Sequence, residues 1–187
     1  MTLKPIIYMD ACCFIDLAKS ALSVYTKPDR EPHIFYSRKF LDAARANQIL
    51  VYASTITIVE CVVVKDETKP GQPIVEEDAV KPLFRGMLMS GRSGVMPVIP
   101  TPKISEAARD LRWTHGITCK PMDALHLATA IEMKCTHFIT TDNLGAENIK
   151  KLSSFRLAVC PADQASHLLP SQYRQFELKP ADDKHKA

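Results

Sequence analysis

Residues 6–10 read Ile-Ile-Tyr-Met-Asp, four largely apolar side chains running into a carboxylate, and residues 137–142 give a related arrangement, His-Phe-Ile-Thr-Thr-Asp. A short run that is apolar at successive positions suits a strand buried on both faces. Three further runs of this kind lie at Ile49 to Ala53, Val95 to Ile99 and Arg156 to Val159. Between them the pattern turns helical, at Ser37 to Asn47, Thr57 to Lys65, Lys103 to Trp113 and Pro121 to Lys134. The last of these opens on a proline, which has no amide hydrogen to leave unpaired in a first helical turn. Strands that alternate with helices predict an α/β fold, a three-layer α/β/α sandwich around a mostly parallel central sheet of four or five strands.

The chain has 187 residues, which fits one domain with an insertion or a tail and leaves too little for two. The domain is expected over 1–178, with an insertion at 66–95. There DETKPGQPIVEED is rich in turn residues, KPLFRGMLM reads as a short amphipathic helix, and SGRSG reads as a loop. The end, 179–187, has no large apolar side chain and is expected to be a flexible tail. A hydrophobic fraction of 46% with 24% charged residues excludes a disordered chain, and 6 Gly among them exclude a collagen. No apolar run approaches the roughly 20 residues needed to cross a bilayer. The amino-terminal apolar stretch breaks at Asp10, too early for a secretory signal, so no membrane association and a cytoplasmic location are expected. The six cysteines form no C-x-x-C pair and read as reduced core thiols. With 24 Lys and Arg against 21 Asp and Glu the net charge is +3, too weak a bias to name a polyanionic partner.

Four acids carry the chemistry. Asp10 and Asp142 each follow a strand, and the carboxyl edge of an open parallel sheet is where ligands bind. Glu60 lies on the helix after the second strand, and Asp123 opens the helix PMDALHLATA. Four carboxylates brought to one cleft repel one another unless protonation, shifted pKa values or a bound cation relieves them. A divalent cation is the simplest relief, and Mg²⁺ or Mn²⁺ prefers oxygen ligands of this type. Each acid also has a local structural reading. Asp10 reads as a strand end or helix cap, and Thr57-Ile58-Val59-Glu60 as a capping box. Asp123 reads as a partner of a helix dipole, and Asp142-Asn143-Leu144-Gly145 as a turn. What favours a common site is that all four fall where one sheet edge needs them. His126, three residues after Asp123, is close enough along a helix to approach the site, but it reads first as a packing histidine. Asp16 reads as a solvent-facing residue of the first helix or, with Asn143, as an accessory polar group. Arg109, Arg112, Lys120, Lys150 and Lys151 read as solvated helix faces or as a path for phosphates.

The segments IIYMDACCFIDL, TITIVEC, PMDALHLATA and HFITTDN together resemble the acid-bearing motifs of the PIN-domain nucleases, which include the VapC-type toxins of bacterial toxin–antitoxin pairs. The resemblance runs from about residue 5 to residue 160, and AARDLRWTHGI resembles the helix that leads into the third motif. Its most specific part is the Asp-Ala-x-x-x-Ala helix followed by Thr-x-Asp. The resemblance implies a PIN-like sandwich and an endoribonuclease in which Asp10, Glu60, Asp123 and Asp142 hold Mg²⁺ or Mn²⁺ for hydrolysis of RNA. It also implies a homodimer and, for a toxin, a cognate antitoxin that fills the acidic cleft. One position departs from the pattern: family members commonly carry a hydroxyl or amide residue two places after the first acid, and here Cys12 stands there. An aspartyl-phosphate phosphatase would need a second Asp at that same place. A catalytically inactive PIN module that binds RNA or a protein partner is the other alternative, and the retention of all four acids speaks against it. The acids by themselves leave RNA and DNA equally open as substrates.

Overall fold

The computed structural model describes residues 4–24, 27–65 and 77–175. Ile6–Met9 form strand β1, followed by helices α1 (Ala11–Ala21) and α2 (Glu31–Arg45) and strand β2 (Leu50–Ser54). A short α3 (Ile56–Glu60), α4 (Glu77–Leu88), β3 (Val95–Val98) and the helix pair α5 (Pro102–Trp113) and α6 (Pro121–Glu132) come next. Strand β4 (His137–Ile139), helix α7 (Ala146–Leu152) and strand β5 (Ala158–Cys160) complete the set. All five strands are parallel, in the order β3-β2-β1-β4-β5. The strand order reverses at β1, so the crevice past the carboxyl ends of β1 and β4 is the switch point at which such sheets bind ligands.

Alternation along β1 divides the core in two. Ile7 and Met9 join Phe14, Leu17, Phe40, Val80 and Phe84, a cluster built from α1, α2 and α4 on one face of the sheet. Tyr8 points the other way and packs with Ile104, Leu111, Leu127 and Phe138, beneath α5 and α6. This is the expected three-layer α/β/α sandwich. Both faces of the strands are covered, which is why β1 reads as continuously apolar. In α1 the buried Phe14, Leu17 and Ala18 follow helical spacing. In α5 the Thr101 hydroxyl accepts from the Ile104 amide at the cap, with Pro102 in the first turn.

Several boundaries differ from the sequence expectation. Helix α2 begins at Glu31, six residues before Ser37, because Pro32 in its first turn supports an early start. Helix α3 stops at Glu60 instead of reaching Lys65. The β-branched run Val62-Val63-Val64 follows it and does not favour helix. Strand β4 ends at Ile139, two residues short of Thr141; the Thr140 amide still donates to the Cys160 carbonyl of β5 at 3.1 Å, and its hydroxyl donates to Asp10. Helix α4 begins four residues before the KPLFRGMLM segment and carries Pro82 within it. Gly94 is required by contact as well as conformation: its φ is +79°, and a Cβ there would lie 2.6 Å from the backbone of Ala44 in α2. All six cysteines are free thiols, three of them buried. Among the described residues no helix is long and apolar enough to cross a membrane. The turn-rich part of the expected insertion at 66–76 and the tail at 179–187 lie outside the described residues.

Candidate functional site

Asp10 follows the last residue of β1, and its amide donates to the Ile139 carbonyl at 3.1 Å, which ties the ends of β1 and β4 together. Its backbone is extended, and its Oδ1 accepts from the Ala11 amide at 2.8 Å, capping α1. Oδ2 accepts from the Thr140 hydroxyl at 2.8 Å. Only 9% of the residue is exposed. Burial is the main reason its pKa is raised, with the charge of Asp142 adding to it, while His126, Thr140 and Ala11 act in the opposite direction. A carboxylate in this position is a poorly hydrated anion that gains from a nearby cation.

Two groups of potential ligands share Asp10. On one side are Cys12 and Asp142, and on the other Glu60 and His126; within each group the ligand atoms lie within 4.8 Å of one another. The Cys12 sulfur accepts from the Thr141 amide at 3.3 Å and sits 3.4 Å from the Thr140 hydroxyl, so it occupies the place of a hydroxyl or amide within the local network. The Asp142 amide donates to the Thr140 hydroxyl oxygen at 3.1 Å, which orients that hydroxyl's own proton toward Asp10. The Asp142 carboxylate is exposed and makes no hydrogen bond or ion pair among the described residues. In the turn behind it, Asn143 Oδ1 accepts from the Gly145 amide.

Glu60 is the last residue of α3, and the capping box expected for it does not form. The cap residue is Thr55, which makes no side-chain cap bond, and the Glu60 carboxylate turns to the Nε2 of His126 at 2.8 Å. His126 is 1% exposed, and its Nε2 is also 4.0 Å from Asp10 Oδ1. Its Nδ1 lies 2.6 Å from the Tyr8 hydroxyl, which already accepts from the Ser54 amide at 2.8 Å. Since Ser54 occupies the oxygen, the Tyr8 proton points to Nδ1, and the network assigns the neutral ring its proton on Nε2, donated to Glu60. Burial lowers the basicity of His126, but the Glu60 hydrogen bond and the charges of Asp10, Glu60 and Asp123 outweigh it, and its pKa is raised. His126 is therefore bound into the acidic centre and is more than core packing. The signal that could have found it was its place three residues after Asp123.

Asp123 stands in the first turn of α6 and belongs to neither group, although its charge acts on His126. Its carboxylate makes no hydrogen bond or ion pair among the described residues. Asp16 corrects the solvent-facing expectation: it is 4% exposed and pairs at 2.9 Å with Arg30, whose guanidinium also donates to the Thr141 hydroxyl. The charge of Asp16 is buried because this arginine reaches it from the turn before α2.

The donor set suits a divalent cation. It offers a buried carboxylate at Asp10, carboxylates at Asp123 and Asp142 that make no bond among the described residues, and a fourth, Glu60, held by one bond to the His126 imidazole. An all-parallel sheet with carboxylates at its switch point defines the class: an α/β protein with a candidate acidic metal centre. Residues 7–151 match the PIN domain, and the chain belongs to that family. PIN domains are generally metal-dependent nucleases, so membership indicates nuclease activity. No curated protein matches the chain in sequence at a significant level.

Proposed function

We propose that the chain is a metal-dependent endoribonuclease, VapC-like and the toxin of a toxin–antitoxin pair, with Asp10, Glu60, Asp123 and Asp142 as ligands for Mg²⁺ or Mn²⁺. The observation that carries this reading is the buried Asp10 carboxylate at the switch point, flanked by Asp142 on one side and by Glu60 on the other. A divalent ion bound there supplies Lewis acidity toward the phosphoryl oxygens and the attacking water. Asp10 is held in place by the Ala11 amide and the Thr140 hydroxyl, so it needs little reorganisation to act as a ligand. His126 holds Glu60 by one oxygen, and the other makes no hydrogen bond among the described residues. Asp123 on α6, whose charge acts on His126, and Asp142 beyond β4, grouped with Asp10, are the other two proposed ligands. A homodimer, and an antitoxin whose basic side chain pairs with these acids, belong to the same proposal.

The test is incubation of the purified chain with structured and single-stranded RNAs, with and without Mg²⁺ or Mn²⁺, beside Asp10→Asn and Asp123→Asn. Cleavage should require the ion, stop on chelation and nearly vanish in both variants. Asparagine retains the cap, so Asp10→Asn should stay folded, with a stability change of about 1 kcal/mol or less. Full activity in either variant, or in chelator, overturns the assignment. For the toxin role, induced expression should arrest growth, and unaffected growth rejects it.

A further inference from the structure

Trp113, the only tryptophan of the chain, ends α5 with 72% of its surface exposed. The Arg109 guanidinium lies 4.6 Å from its ring centroid, and the same guanidinium is bound to Glu106 at 3.1 Å. One face of the indole is thus steadied by an ion pair. Beside the ring runs a groove of about 330 Å³ between α5 and α6, lined by Ala108, Arg112, Ile117, Cys119 and Leu125. That volume is at the low end of small-molecule sites, which run from roughly 300 to 1,000 Å³. The groove runs up to the start of α6 beside Asp123: Pro121, Ala124 and Leu125 line it, and the Cys119 thiol, also in its lining, feels the charges of both Asp123 and Arg112.

Charge at the rim selects the occupant. Of the five basic residues that suggested a phosphate path, Arg109 is paired with Glu106, and Lys151 with Glu147 and the Gly116 carbonyl. Arg112, in the last turn of α5, and Lys120, the residue before α6, flank the connection between the two helices; both are exposed, and their side chains make no hydrogen bond or ion pair among the described residues. An aromatic face with unpaired cations next to it is the arrangement that binds single-stranded nucleic acid, where bases stack and phosphates are neutralised. A second copy docked here by two-fold symmetry would bring the same cations to a shared contact.

We propose that the α5–α6 groove is a base-binding subsite for single-stranded RNA, with Trp113 stacking on a base next to the phosphate at the acidic centre and Arg112 and Lys120 taking the flanking phosphates. The inference rests on the nuclease reading above and adds a base-binding subsite to it.

Because Trp113 is the sole tryptophan, its emission reports directly on the groove. The full chain, in EDTA so that nothing is cleaved, is titrated with oligoadenylate of about ten nucleotides, a length such single-strand sites cover. Binding is followed in parallel by the anisotropy of labelled RNA. The expected result is saturable quenching of Trp113, much weaker with an abasic strand of equal length or with duplex RNA. Trp113→Ala should weaken binding by about tenfold and Trp113→Phe by less, since phenylalanine keeps an aromatic face. Arg112→Gln should reduce the salt dependence by about one phosphate contact. Unchanged emission when anisotropy shows bound RNA, equal quenching by the abasic strand, or full affinity in Trp113→Ala overturns the subsite. An emission shift that grows with protein concentration in the absence of RNA gives the groove to a second copy and also overturns it. Retained metal-dependent cleavage with any of these outcomes sinks the subsite alone, whereas quenching without cleavage in Mg²⁺ or Mn²⁺ sinks the nuclease reading alone.

Discussion

Replacing Tyr8 by phenylalanine removes one oxygen atom from the centre of the molecule. The ring is fully buried and lies parallel to Phe138, with centroids 5.1 Å apart, a contact that phenylalanine keeps. The buried apolar area therefore hardly changes, and the cost falls on the polar groups the hydroxyl served. The Ser54 amide, which donates to it at 2.8 Å, and His126 Nδ1, 2.6 Å away, are both left inside without that partner. A buried amide without an acceptor costs about 1–3 kcal/mol, and the second lost bond about 1 kcal/mol, so the variant should lose about 3 kcal/mol. For a domain of this size that lowers Tm by about 6–12 °C. Urea unfolding of the metal-free protein, followed by circular dichroism, measures it. A loss below about 0.5 kcal/mol, the range of a surface substitution, would refute the pairing of the hydroxyl with Ser54 and His126.

The same variant carries a second consequence at the acids. Without the Tyr8 hydroxyl the His126 ring is no longer fixed with its proton on Nε2, and Glu60 loses a donor of defined direction. Partners that orient ligands in this way are typically worth about 10–100-fold in metal affinity, so Mn²⁺ binding by calorimetry should weaken by that factor. General destabilisation does not predict this, and a variant weakened elsewhere supplies the control.

Gly94→Ala is that control: its Cβ would press on the Ala44 backbone at a positive φ, on the opposite side of the sheet from His126, and should cost about 2–4 kcal/mol in urea unfolding while leaving Mn²⁺ affinity unchanged. Acid should destabilise the protein through His33, which is 2% exposed, accepts from the Ala162 amide at 2.9 Å and has its pKa lowered to about 4, first by burial and then by Arg30. Above the unfolded value of about 6.5 the ring is neutral in both states; as pH falls toward 4 only the unfolded chain takes the proton, so up to about 3 kcal/mol of stability is lost, and His33→Gln should flatten that part of the pH profile.

Periodicity shows which strands are buried on both faces, and for that reason β1 and β4, with a carboxylate beyond each, are legible in the amino-acid sequence. It does not show which partner meets a polar atom across the core. Tyr8 reads as one more apolar residue of a strand, yet it faces away from Ile7 and Met9, and only the packing of α6 over the sheet brings its hydroxyl to a histidine 118 positions later. Asp16 looks exposed for a similar reason: nothing near it in the chain shows that Arg30 will fold back to cover it.

Local and functional readings of an acid compete only when both need the same oxygens. At Asp10 they do not: Oδ1 caps α1 and Oδ2 takes the Thr140 hydroxyl, so the cap itself orients the carboxylate at the sheet edge. At Glu60 they do, because a side chain folded back onto its own helix start cannot reach His126. The Val62-Val63-Val64 run decides the matter: it ends α3 at Glu60, at the helix terminus, and from there the carboxylate extends across to α6. The residues that carry the candidate chemistry are thus placed by the same signals that a purely structural reading of the sequence would use.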